Sequence, residues 1–156
     1  MKGEAPPQHR FIADRMLGRL TRYLRLMGYD VSYPPASSDA RLIAKAMAER
    51  RVLLTRDHGI CIRNGPRGDN PTVVEISSSE IMSQLRQLVE DGWVGYLGEP
   101  RCSFCNSHLE PMAAWEARHL LPPFTCATHD RFLFCRSCNT IFWEGSHWDR
   151  FHKRIG

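Results

Sequence analysis

Apolar positions change period several times along the first hundred residues, and each change marks an element. Phe11-Ile12-Ala13 is a short continuous apolar run that predicts a strand ending at Asp14. From 15 to 27 the spacing becomes helical. Met16, Leu17, Leu20, Tyr23, Leu24 and Met27 fall on one face, and Arg15, Arg19, Arg22 and Arg25 fall on the opposite one. Gly28 is placed as a C-terminal cap. Residues 29–33 form the next strand candidate, closed by Pro34-Pro35. Ser37-Ser38-Asp39 offers N-caps for a helix running to about Arg50, with Leu42, Ile43, Ala46 and Met47 as its apolar face. Residues 52–55 are a β-rich run leading into Arg56-Asp57, and a loop rich in Gly, Pro and Asn covers 64–71. Residues 73–76 give a fourth strand. Ser77-x-x-Glu80 reads as a capping box that opens a helix to about Asp91.

The alternation of strands and helices predicts an α/β domain with a parallel sheet and helices on both faces. Functional groups in such sheets sit at the carboxyl ends of the strands. A boundary is expected near Gly98-Glu99-Pro100. The chain then divides into a polar lead-in over 1–9, expected to be disordered, an α/β domain over 10–98 and a cysteine-bearing module over 99–156. Short strands are expected in that module at 132–135 and 140–143. No internal repeat or low-complexity tract is present.

At 156 residues the chain has room for a domain of about 100 residues and a small metal module. Hydrophobic residues make up 42% and charged residues 24%, the balance of a soluble globular protein. No apolar run approaches the ~18 residues of a membrane span, so no membrane association is expected. MKGEAPPQHR lacks a signal-peptide core, which argues for a cytoplasmic location. In that reducing setting the six cysteines point to metal rather than to disulfides. A net charge of +4 does not by itself indicate nucleic acid. The four arginines within 15–25, a stretch without an acid, are compatible with a polyanionic partner.

Two tight pairs, Cys102-x-x-Cys105 and Cys135-x-x-Cys138, have the gap that aims both sulfurs of a pair at one metal. Together they supply four thiolates for a closed tetrahedral zinc site, which is structural because no coordination position is open to a substrate. The long separation implies an inserted loop over about 107–131, which holds Cys126 and His129; either could replace one of the four cysteines. Cys61 reads as a buried small hydrophobe or as a reactive thiol. His147 and His152 are surface residues or substrate contacts. Trp143, Trp148 and Phe151 either form the module's small core or stack on bases, with Arg136, Arg150, Lys153 and Arg154 available to phosphates.

Three acids occupy positions that a parallel sheet can bring to one edge. Asp14 ends the first strand, Asp39 begins the second helix, and Asp57 follows the third strand. Clustered carboxylates suit a hard divalent ion, Mg²⁺ or Mn²⁺, which can activate water and neutralise charge on a phosphodiester. Each acid taken singly also reads as a helix cap or a solvated side chain.

The segment FIADRMLGRLTRYLRLMGYD (11–30), then LLTRD (53–57), then the paired knuckles with IFWEGSH (141–147), resembles the Mut-seven C-terminal RNase domain family, a branch of the PIN-like nucleases with a fused zinc ribbon. The likeness spans about 10–152, and its first motif is long and specific. It implies a PIN-like α/β fold and a metal-dependent ribonuclease that cleaves single-stranded RNA. By position, Asp14, Asp39 and Asp57 would be the catalytic acids, with the Thr55 hydroxyl supporting Asp57. Arg15, Arg19, Arg22 and Arg56 would hold the RNA. PIN-like sites often carry a fourth acid soon after the third, whereas residues 58–68 contain none. That departure keeps open a non-catalytic RNA-binding or ribosome-associated module, and also a protein-interaction scaffold.

Overall fold

The computed structural model describes residues 9–64, 68, 70–95, 97–144 and 153. The expected lead-in apart from His9, part of the 64–71 loop, and the segment holding His147, Trp148, Arg150, Phe151, His152 and Arg154 lie outside the described residues. The chain forms two compact units, Met1–Asn106 and Ser107–Gly156.

The first unit is α/β. Strands β1 (Phe11–Ala13), β2 (Val31–Ser32), β3 (Val52–Thr55) and β4 (Val73–Glu75) make a parallel sheet in the order β2-β1-β3-β4. Phe11 pairs with Val31 on one side and Val52 on the other, and Thr55 pairs with Glu75. β1 and β3 are buried along almost their whole length, which is why they read as unbroken apolar runs. Helices α1 (Gly18–Leu26), α2 (Asp39–Ala48), α3 (His58–Arg63) and α4 (Ile81–Glu90) flank the sheet. Ile12 and Leu53 lie beside each other in register and bury against Leu42 and Ala46 of α2 and Ile60 of α3. α1 and α4 pack on one another.

Several boundaries differ from the sequence reading, each for a local reason. Residues 15–27 are not one helix: Arg15–Leu17 form a 3-10 turn, and α1 starts at Gly18. This turn leaves Met16 60% exposed, off the apolar face assigned to it. Arg25 is only 6% exposed, not on a solvated basic face. β2 is shorter than the 29–33 expected, because the Tyr29 N–H still bonds the Leu24 carbonyl at the end of α1. α3 occupies residues 58–63, to which the sequence pattern assigned no element. α4 is capped by the Glu80 carboxylate, which accepts from the Met82 and Ser83 N–H groups, and Ser77 instead bonds Gln87.

The second unit holds an antiparallel sheet in the order β5-β6-β7, from Glu110–Met112, Phe132–Cys135 and Thr140–Trp143. The inserted segment supplies β5 and two short helices, α5 (Ala114–Ala117) and α6 (Pro123–Thr128). Among the described residues no helix is long and apolar enough to cross a membrane.

Candidate active site and cysteine cluster

The carboxyl ends of β1 and β3 and the start of α2 meet at a cavity of about 280 Å³, and Asp14, Asp39 and Asp57 all line it, with Arg15, Met16 and Ser38. The three acids differ in how firmly they are held. Asp14 is 7% exposed. Its Oδ1 accepts from the Met16 N–H at 2.8 Å, and its Oδ2 accepts from the Arg56 N–H at 2.9 Å and the Thr55 hydroxyl at 2.5 Å. A carboxylate has about four acceptor sites, so roughly one remains for a ligand.

Asp57 caps α3. Its Oδ1 accepts from the N–H groups of Gly59 at 2.8 Å and Ile60 at 3.4 Å, whereas Oδ2 accepts no hydrogen bond from the described residues. Asp39 is not the N-cap of α2, because the Ser38 hydroxyl accepts from the Arg41 N–H in that role. Its exposed carboxylate instead pairs with Arg63 at 3.3 Å. Capping therefore accounts for one oxygen of Asp57 and for neither oxygen of Asp39.

Thr55 is fully buried and joins two of these acids. Its hydroxyl donates to the Asp14 carboxylate and accepts the Asp57 N–H at 3.0 Å. It thus holds the Asp14 side chain, and it holds Asp57 through the backbone rather than through the carboxylate. Arg15, Arg19 and Arg22 are exposed, while Arg56 is half-buried, with its Nε buried and without a hydrogen-bond partner among the described residues.

Sequence reasoning passed over Glu75, the last residue of β4, which sits in register with Thr55 at the same edge of the sheet. Its carboxylate contacts His58 Nδ1 at 3.1 Å, one residue beyond Asp57. An acid at the carboxyl end of a strand was the signal that singled out Asp14 and Asp57, and reading the fourth strand on to Ile76 hid it here. Cys61 is half-buried rather than buried; burial first, and then Glu75, push its thiol pKa up, which disfavours the reactive thiolate.

The sulfurs of Cys102, Cys105, Cys135 and Cys138 all lie within 4.8 Å of one another. A tetrahedral zinc–thiolate centre with bonds of about 2.3 Å has edges of roughly 3.8 Å, so the set can hold a zinc ion. The Cys138 N–H points to Cys135 Sγ at 3.4 Å, which tightens the second knuckle. Cys126 and His129 are engaged elsewhere, with the Leu121 carbonyl and with Thr125 and Thr128. Arg136 is paired with Glu110, and Trp143 is 41% exposed at the end of β7.

Within the first unit, several bonds tie the first knuckle to α1 and β2. Arg25 donates to the Val31 carbonyl through Nε and Nη2 and to the Ser103 carbonyl through Nη1 at 3.0 Å. Burial pushes the Arg25 pKa down, and the sulfurs of Cys105 and Cys102 act against it; the guanidinium stays charged. The Asn106 side chain bonds Asp30 and the Val31 N–H.

A family model described as the Mut7-C RNAse domain matches residues 9–155, nearly the whole chain. No curated protein and no solved structure matches. The family match supports a nuclease-like, RNA-related function.

Proposed function

The chain belongs to the Mut7-C RNAse domain family, and from that premise we propose that it is a metal-dependent endoribonuclease acting on single-stranded RNA. The observation that carries this reading is the convergence of Asp14, Asp39 and Asp57 on one cavity at the carboxyl end of a parallel sheet. Three hard oxygen donors fit Mg²⁺ or Mn²⁺, and Asp14, Asp39 and Asp57 would hold it. When bound, such an ion supplies charge neutralisation at a phosphodiester and a lowered pKa for a coordinated water. Asp14, fixed by three donors, is the preorganised member. Asp57 offers Oδ2 while Oδ1 stays on the α3 backbone. Arg63 holds Asp39 as a mobile surface pair would, at little energetic cost to release. Arg15 at the cavity and Arg19 and Arg22 along α1 would meet the phosphates. Attack of water on the phosphodiester leaves a 5′-phosphate and a 3′-hydroxyl. PIN-like fold membership and a structural zinc on the four cysteines complete the proposal, with a cytoplasmic setting that keeps the thiols reduced.

The test is cleavage of an end-labelled single-stranded RNA with Mn²⁺ or Mg²⁺ by the wild type and Asp57→Asn, zinc content being measured in both. Asn keeps an acceptor for the α3 cap, so the fold is expected to survive. Loss of cleavage by at least a hundredfold with zinc retained is the expected result, and full activity in the variant would remove Asp57 from the chemistry. A second reading has one observation behind it: Asp14 and Asp57 each cap their own following turn. A non-catalytic RNA-binding module would bind RNA salt-sensitively in both proteins, without a divalent ion and without cleavage.

A further inference from the structure

Beside α1 lies a second groove, of about 510 Å³, within the usual size range of ligand sites. Arg19, Arg22, Tyr33 and Phe104 line it, and among the described residues no acid does. Phe104 is the third residue of the first knuckle, Cys102-Ser-Phe-Cys105. A ring of that size is normally withdrawn from water, yet Phe104 is 56% exposed, and the Arg22 guanidinium lies over it at 5.2 Å from the centroid. Arg19 and Arg22 are three residues apart on one helix and so share a flank.

The groove adjoins the carboxylate cavity through a shared wall. Tyr33 lines the groove while Pro34, the next residue, lines the cavity. The Tyr33 hydroxyl donates to the Arg15 carbonyl at 2.7 Å, and Arg15 lines the cavity. Gly18 makes that approach possible, since a Cβ there would stand 2.9 Å from the Tyr33 hydroxyl.

We infer that this groove is a nucleotide subsite, in which a base of a single-stranded RNA stacks on Phe104 while Arg19 and Arg22 hold the adjoining phosphates. The subsite deepens the proposed nuclease reading, on which its choice of ligand rests. Exposed aromatic faces interleaved with cations bind single strands by stacking and charge, and duplex RNA offers no unstacked base to such a ring. The cysteine knuckle thereby acquires a second role: Arg25 ties it to β2 through the Val31 and Ser103 carbonyls, its thiolates would hold the zinc, and it presents an aromatic platform beside the groove.

The experiment is fluorescence anisotropy of a labelled oligouridylate of about eight nucleotides with the full chain carrying Asp57→Asn, zinc-loaded, so that binding is read without cleavage. Phe104→Ala and Phe104→Leu are expected to weaken binding about tenfold, and Phe104→Trp to preserve it. Arg22→Ala is expected to lower the salt slope by about one. Equal zinc content and equal thermal midpoints show that the knuckle is intact in each variant. Phe104→Leu, which keeps the apolar bulk without the ring, binding as tightly as the parent overturns the proposal. So does a parent protein that binds no oligonucleotide. The two readings fail separately: loss of binding in Phe104→Ala by a wild type that cleaves nothing upholds the subsite and refutes the nuclease. Cleavage by the wild type with unaltered binding in Phe104→Ala does the reverse.

Discussion

The Thr55 hydroxyl donates to Asp14 Oδ2 across 41 residues of chain, and the same oxygen accepts the Asp57 N–H. One buried side chain therefore sets both the rotamer of the first acid and the backbone that presents the third. Thr55→Val keeps the shape and removes the hydroxyl. It leaves a buried carboxylate short of one donor and a backbone N–H without its acceptor, at a cost of about 2–3 kcal/mol. Thr55→Ser keeps the oxygen and gives up one methyl, costing about 1 kcal/mol. Urea denaturation of the two variants checks the order; Val being better tolerated than Ser would show that the hydroxyl does not hold the site.

Gly28 ends α1 at φ +97°, and a Cβ there would lie 2.7 Å from the Cα and carbonyl carbon of Gly98. The Gly98 N–H bonds the Met27 carbonyl, and the Arg101 N–H bonds the Arg25 carbonyl, so the chain leading to the first knuckle is laid against this helix end. Gly92, at φ +79°, has nothing among the described residues within 4 Å of the corresponding position. Gly92→Ala is expected to cost about 1 kcal/mol, from the backbone alone. Gly28→Ala carries the same strain plus a clash with main chain, and about 3 kcal/mol is expected. Equal thermal midpoints for the two variants would mean that the Gly98 approach relaxes freely.

The parts of this fold that a reader of the sequence could see are those whose signal is local. β1 and β3 are unbroken apolar runs because both their faces are covered, and their ends placed Asp14 and Asp57 at one edge of the sheet. The parallel sheet with flanking helices and the four-cysteine cluster followed from alternation and spacing. What stayed hidden depends on distant partners. Arg25 looked like one arginine of a solvated face, and distant partners, the carbonyls of Val31 and Ser103 among them, make its burial tolerable. α3 has six residues, too few to display a helical period, and it starts at His58-Gly59. The Asp39–Arg63 pair spans 24 residues and required α3 to exist. Phe104 carried no signal at all, since a knuckle residue is exposed or covered according to what the rest of the fold brings beside it.

Removal of zinc is expected to act unevenly. The unit 107–156 contains a small antiparallel sheet, and a module of this size buries too little apolar surface to fold strongly by itself. Without the ion, four sulfurs within 4.8 Å lose the charge that holds them together. Hydrogen exchange after chelation should show peptides covering 132–143 losing protection, while those covering 11–13 and 52–55 keep theirs. Unchanged protection at 132–143 in demonstrably zinc-free protein would show that the β-sheet of this unit stands without metal.

Asp30 gives the fold an acid-sensitive joint. Its partial burial alone would raise its pKa, but hydrogen bonds from Arg51, Asn106 and Arg10 more than reverse that and hold the carboxyl well below the usual range. Arg51, itself buried, also donates to the Phe11 carbonyl at the start of β1, and Asn106 follows the first knuckle. A carboxyl depressed in the folded state is stabilising above its unfolded pKa of about 4, and that contribution is lost as pH falls through the folded value. Stability measured by denaturant titration should therefore be level in this respect above about pH 5 and decline below about pH 4. Asp30→Asn removes the charge and leaves Arg51 short of its partner, so it should be about 2 kcal/mol less stable at pH 7. Its deficit should shrink on acidification, because the parent loses the same contribution. A deficit that stays constant from pH 7 to pH 3 would show that the Asp30 charge is not what joins Arg51 and Asn106.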